Sequence, residues 1–264
     1  MNCSYRHLAS LSLVGALSVE AVLPGPARAT GVAEGTAYRL DDGVAAYREM
    51  HLLFEDDGNP ARLVLYRCMD GAAFARKIVV DRSGASRPDF DFIDGRTGYR
   101  EGVRTIGQAR QVYWRKSAAS SEKAKRLEIP ANAVIDAGFD AMVRTQWARL
   151  ESDEGISANF LLPSALRFLK VRIERMGGTS QPGETRLRMK LDTWYGFAVP
   201  ETEIDYLTGE RRLVRFKGIG SIRDLHGRNQ AVRIEFPGGL QGRSASAAEI
   251  QAARRLPLAT RCGA

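Results

Sequence analysis

Read for the alternation of apolar and polar side chains, most of the chain predicts antiparallel β-structure. In Phe168–Glu174 the apolar residues Leu169, Val171 and Ile173 alternate with Lys170, Arg172 and Glu174. Thr185–Asp192 sets Leu187, Met189 and Leu191 against Arg186, Arg188, Lys190 and Asp192, and Ala231–Phe236 sets Val232, Ile234 and Phe236 against Arg233 and Glu235. A period of two gives one dry and one wet face, the pattern of antiparallel sheet. Earlier in the chain, Tyr47–Phe54, Arg62–Met69, Phe74–Asp81, Phe90–Ile93, Tyr99–Ile106 and Arg110–Arg115 read as a meander. Its punctuation is Glu55–Pro60, Asp70-Gly71, Ser83-Gly84 and Asp94-Gly95, turn chemistry in which Gly accepts positive φ and Asp folds back on its own backbone. Ile156–Leu162, Glu203–Leu207 and Arg211–Lys217 complete about eleven or twelve strands. The polar stretch Lys116–Arg126 predicts an exposed loop.

One segment breaks the pattern. Within Ile135–Ser152 the residues Phe139, Met142, Val143, Trp147 and Leu150 fall on one stripe of a helix over 136–151. Asp136 is the expected N-cap and Asp140 places negative charge in the first turn. Such a stripe must be buried against something, and a sheet is what surrounds it in sequence. The expected fold is therefore mainly β: a large curved antiparallel sheet or open half-barrel with one central helix packed on its concave face. A closed barrel or two packed β-subdomains are the alternatives for so many strands. No βαβ alternation supports a parallel, doubly wound sheet. Residues 30–240 are expected as a single β domain, and 241–264 as a peripheral tail with a short helix at Ala247–Leu256.

Composition adds compartment and charge. The 264 residues are 44% apolar, enough for a substantial core. Arg6 and His7, the apolar run Leu8–Val19 and the site Ala27-Arg28-Ala29 predict a signal peptide over residues 1–29. Cleavage between Ala29 and Thr30 would deliver a periplasmic or secreted protein. Cys3 precedes the apolar run and so is not a lipoprotein cysteine, and that run is shorter than the ~20 residues of a spanning helix. No later segment reads as transmembrane. Processing removes Arg6, Arg28 and Glu20, taking the net charge from +8 to +7. In an envelope compartment the partners for such a basic chain are lipid headgroups, lipopolysaccharide and acidic glycans. Cys68 and Cys262 remain, either bridged or as one buried and one free thiol.

Specific chemistry is sparse. His51 and His226 lack metal-ligand spacing and read as a strand-face and a turn histidine, so neither a metal nor a cofactor is expected. Asp89, Asp91, Asp94 and Gly95 approximate a calcium loop with the third acid displaced by one, and read as a polar strand edge. Gly218-Ile219-Gly220 lacks the third glycine of a dinucleotide loop and reads as a bulged strand end, while Ser221 lacks the glycines of a nucleophile elbow. Lys170, Arg172, Arg186, Arg188 and Lys190 lie on wet strand faces. They form either one basic patch or a solvated face matched by Glu174, Asp192, Glu201 and Glu203. Phe168, Trp194, Tyr195 and Phe197 gather at strand ends rather than among those bases, so nucleic acid is not the expected partner.

The segment Ile204–Phe236, IDYLTGERRLVRFKGIGSIRDLHGRNQAVRIEF, joins a Tyr-x-x-x-turn-Arg-Leu hairpin to a final alternating strand. It resembles the closing strands of lipoprotein-carrier (LolA)-like half-barrels and of uncharacterised periplasmic proteins of the DUF3108 kind. In the carriers the main helix precedes most strands, whereas here it follows about six of them. The resemblance implies an envelope half-barrel and transfers no ligand residue. Three functions are expected in order: an exported non-catalytic binding protein holding a lipid or other hydrophobic ligand against Phe139, Met142, Val143 and Trp147; an envelope-assembly scaffold using the basic face; and a hydrolase.

Overall fold

A computed structural model describes Met1 and residues 34–177, 181–192 and 201–263. The expected signal peptide with its cut at Ala29, and Trp194, Tyr195 and Phe197, lie outside the described residues. A first meander runs through β1 (Glu34–Arg39), β2 (Ala45–Asp56), β3 (Asn59–Arg67), β4 (Ala73–Val80), β5 (Asp89–Asp94), β6 (Arg100–Ile106), β7 (Ala109–Arg115) and β8 (Lys123–Leu127). A second runs through β9 (Ala133–Val134), β10 (Ile156–Leu162), β11 (Arg167–Arg175), β12 (Glu184–Leu191), β13 (Thr202–Leu207), β14 (Arg212–Arg223) and β15 (Asn229–Glu235). Antiparallel pairing of β1 with β15 fuses the two into one open sheet that ends at β8 on one side and β9 on the other. The sheet is mixed because β9 pairs parallel with β10, and the short β16 (Arg243–Ser244) pairs parallel with β2.

The turn signals act as expected at the β2–β3 hairpin, where Asp57 and Gly58 both have positive φ (50° and 74°) opposite the Asp56–Asn59 pair. This two-residue turn matches the strand twist. The two outermost strands, β8 and β9, are separated only by residues 128–132, and the turn at Pro163–Ala165 after β10 touches β6 and β7. The sheet thus curves until its far edge returns against its first half without closing. Gly31–Ala264 forms one compact unit.

The concave face carries two apolar clusters. Tyr47, Val64, Tyr66, Phe74, Phe90 and Phe92 belong to the first, and Ile156, Val171, Ile173, Leu187, Ile204 and Tyr206 to the second, with Leu213 and Phe216 of β14 touching both. On the other face, Leu52, Leu63 and Leu65 pack against Ile250 and Ala253 of the C-terminal helix α3 (Ala247–Arg255). That helix starts with a capping box in which Ser246 and Glu249 satisfy each other's backbone N–H groups. The tail beyond it is anchored at three points. Ala259 N–H donates to the Ala73 carbonyl (2.8 Å), Gly263 N–H donates to Asp70 (2.9 Å), and Cys262 is bridged to Cys68.

Four differences from the sequence reading have physical causes. The predicted single helix is two short ones, α1 (Gly138–Thr145) and α2 (Trp147–Glu151). At the break the Thr145 hydroxyl donates back to the Ala141 carbonyl (2.8 Å), a bond that bends helices. Asp136 is not the N-cap: the cap is Ala137, with no side-chain bond, and the Asp136 carboxylate points to Lys77 instead. The expected loop Lys116–Arg126 contains β8, whose side chains are nearly all exposed and which is held by backbone pairing to β7. Finally, β14 runs through Gly218-Ile219-Gly220, with the bulge as a register shift between Ile219 and Arg223.

Candidate functional site

The expected ligand-facing residues are brought together, but as packing. Val143 and Trp147 are 0% and 1% exposed, Met142 is buried, and Phe139 is half-buried against the same second cluster. The Trp147 ring meets Tyr206 edge-on at 5.7 Å, and its indole N–H donates to Glu151 (2.9 Å). The helical stripe therefore fills the space in front of β10–β13. What holds the segment there is its buried stripe and the Asp136–Lys77 pair, for the helices' own ends contribute little. Neither helix has a side-chain cap, residues of positive φ stand at both ends (Asp136 at 45°, Asp153 at 60°), and the chain breaks at Gln146. An uncapped helix shorter than three turns has little stability of its own. Its anchor on the loop after β4 is the Ser86 carbonyl, which accepts from Ile135 N–H (3.0 Å) and approaches Gly138 so closely that a Cβ there would lie 2.3 Å from it.

At the point where the chain enters α1, a cluster of polar groups lies inside the sheet. Lys77 of β4 is 7% exposed and shares its face with Ala75 and Val79. Its Nζ donates to Asp136 Oδ1 (2.6 Å) and to Ser221 Oγ on β14 (3.1 Å), and lies 5.9 Å from the centre of the Phe92 ring. The bulge in β14 lets Ser221 reach it. Around this pair stand Tyr47, Glu49 and His51 of β2, Tyr66 of β3 and Glu101 of β6. Tyr99 donates to Glu101 and accepts from Arg223 (3.2 Å), and Arg96 pairs with the buried Asp94 (2.6 Å). Three oxygen and nitrogen atoms here lack partners: Tyr47 Oη, His51 Nδ1 and Asp136 Oδ2.

Burial and charge act against each other at Lys77. Desolvation pulls its pKa down, but Asp136, Tyr66 and Glu49 outweigh it and hold the ammonium above the ordinary lysine value. With its ammonium paired to Asp136, Lys77 is a donor to Ser221 and offers it no base in this arrangement. Burial raises Tyr47, Tyr66 and Glu101.

His51 Nε2 lies 3.2 Å from Glu49 Oε2, the ring packs edge-on against Phe236 at 5.7 Å, and its pKa is lowered from 6.5 chiefly by burial, with Glu49 opposing. For a base of depressed pKa the unfolded chain binds more protons between the folded value and 6.5. Its stabilising contribution is thus complete above pH 6.5 and is lost as pH falls below it. His51→Gln is expected to flatten the slope of unfolding free energy against pH just below that value, measured by urea titration. An unchanged slope would place the titrating group elsewhere.

The remaining sequence candidates do not converge. Asp89 pairs with Arg110 (2.9 Å) and Asp91 with Arg100 (2.7 Å), while Asp94 points to the opposite face of β5. His226 sits in an exposed turn closed by Asp224. Among the described residues no group of three or more His, Cys, Asp or Glu side chains could hold a metal ion. The basic strand face is assembled but laced with acids. Glu174 pairs with Arg172, Arg188 and Lys190, Glu201 with Arg188, and Asp205 with Arg186 and Arg215. Of the five predicted cations, Lys170 is exposed on β11. A surface crevice between α3 and the β2–β3 turn, lined by Leu53, Phe54, Ala245, Ile250 and Arg254, lies apart from the helical stripe. No helix among the described residues is long and apolar enough to cross a membrane. No protein-family model, curated protein or solved structure matches this chain.

Proposed function

We propose that the mature chain is an exported, non-catalytic binding protein that takes a hydrophobic ligand in its half-barrel, with α1–α2 as a displaceable plug. The observation that carries this reading is the mismatch at the plug. A segment with no caps, a central break and left-handed residues at both ends covers a continuous apolar surface on β10–β13 in an open sheet. Elements that move on ligand entry are drawn from the less stable parts of a fold, and these two short helices depend on their docked face rather than on their own ends. With the plug seated the surface is dry, and with the plug displaced the same residues would line an apolar site. The Cys68–Cys262 bridge and the signal-like N-terminus support an oxidising envelope compartment, and the likeness of Ile204–Phe236 to carrier half-barrels points the same way.

Native mass spectrometry of protein purified gently from periplasm, followed by denaturation and lipid extraction, tests it. An acyl species is expected to co-purify and to be lost in Val171→Asp, which puts a charge on the apolar surface of β11 that the ligand would cover. A ligand-free mass with no uptake of added lipid would overturn the proposal. A scaffold role through the basic face stands second, because Glu174 and Asp205 already supply counter-charge there. It would show as binding to anionic vesicles that falls steeply with salt.

A further inference from the structure

The polar cluster behind the plug has a composition that selects a ligand class. Asp136 is the last residue before α1 to enter the sheet, following Val134 of the second apolar cluster and Ile135 of the first. Its carboxylate sits on Lys77 Nζ and faces a buried setting in which Ser221 also contacts that nitrogen. As an occupant Asp136 is imperfect. Its backbone is in the left-handed region (φ 45°), its Oδ2 has no partner, and the hydroxyl of Tyr47, 2% exposed, is also unpartnered. That hydroxyl lies beside β14: a Cβ on Gly220, the neighbour of Ser221, would be 3.3 Å from it.

If the plug leaves, Asp136 leaves with it, and a buried ammonium loses its counter-ion. A neutral head group would leave Lys77 unpaired in the interior. A phosphate monoester would carry up to two negative charges to a seat where one was held, in the field of Glu49 and Glu101, and a phosphodiester, though singly charged, brings a second ester arm into the same buried seat. A single carboxylate replaces a single carboxylate and leaves the buried charge unchanged. It can also use both oxygens, because it is not tethered to the backbone as Asp136 is.

Resting on the plug reading above, we propose that the ligand is a long-chain monocarboxylate, and that Asp136 occupies the seat of its head group on Lys77 and Ser221 in the empty protein. The acyl chain would then run along the apolar surface of β10–β13 that Met142, Val143 and Trp147 cover.

The test is displacement of a fluorescent fatty acid from the mature protein by oleate, oleyl alcohol and oleyl phosphate, in wild type, Asp136→Asn and the charge-free pair Lys77→Met/Asp136→Asn. Wild type is expected to prefer oleate. Asp136→Asn should raise affinity for oleate by about tenfold more than for oleyl alcohol, since the internal competitor is gone. The charge-free pair should lose the preference. Equal binding of all three amphiphiles by wild type, or an oleate preference that survives in the charge-free pair, would overturn the head-group assignment while leaving the plug reading in place. If folded wild type, verified by circular dichroism, binds none of the three and does not bind the fluorescent probe, the plug reading itself fails and this inference with it. Should a variant not fold, the ranking of the three amphiphiles on wild type still decides.

Discussion

Lys77→Met is expected to lower the unfolding free energy by about 3–5 kcal/mol, because it strands a largely desolvated carboxylate. The lysine lies between Val64 of β3 and Phe92 of β5 in the sheet register, so methionine fits the site sterically and the loss is electrostatic. Asp136, its side chain 16% exposed, would remain with no cation, near Glu49 and Glu101, which act on the same cluster. Removing both charges in Lys77→Met/Asp136→Asn should recover most of the loss, since a matched apolar replacement of a buried pair is often neutral or better. Urea unfolding at neutral pH measures both. A single variant within about 1 kcal/mol of wild type would show that the pair is solvated in solution. The pair also has a pH signature. A lysine whose folded pKa is raised stabilises fully below its unfolded value of 10.5 and loses that contribution as pH rises through the folded value. Wild type should therefore lose stability in strong alkali, and the charge-free pair should lose less.

Breaking the Cys68–Cys262 bridge should cost a comparable amount. The two cysteines are 194 residues apart, and closing a loop of that length is worth about 5 kcal/mol in the chain-entropy account. For a protein of this size that corresponds to a fall of roughly 10–20 °C in Tm. Thermal melts with and without reductant, together with Cys68→Ser/Cys262→Ser, measure it. A fall of only a few degrees would mean that α3 and the backbone bonds at Ala259 and Gly263 hold the tail without help.

The sheet was legible because its strands are wet on one side. Leu169, Val171 and Ile173 alternate with charges, and β11 lies where that alternation places it. Strand β8 was not legible, because Lys123, Lys125 and Arg126 offer no dry face and only its pairing with β7 makes it a strand. The helical stripe was read correctly in its residues and wrongly in its start. An aspartate before a helix reads as a cap, and nothing local reveals a lysine fifty-nine positions earlier in the chain. The candidate polar seat did leave a trace. In AFARKIVV, Lys77 shares parity with Ala75 and Val79, and Glu49 likewise lies between Tyr47 and His51 on a buried face. A charge on the dry face of a strand signals a buried pair, but its partners, Asp136 and Ser221, come from distant elements that only the curvature of the sheet unites.

The order of strands has a kinetic consequence. Among the described residues, and apart from the β16 edge contact, every strand pairs with a neighbour in sequence except at one place, where Thr36 of β1 faces Glu235 of β15. Local pairings nucleate quickly, whereas a contact between distant residues must wait for loop closure. The two meanders can therefore form independently and zip together along a single seam, which becomes the slow step. The disulfide joins the chain just after β3 to the tail that follows β15 in sequence, so it ties the first meander to the chain beyond the second. Oxidation before zipping would shorten the search for the β1–β15 register and make the redox state of the compartment a determinant of folding rate.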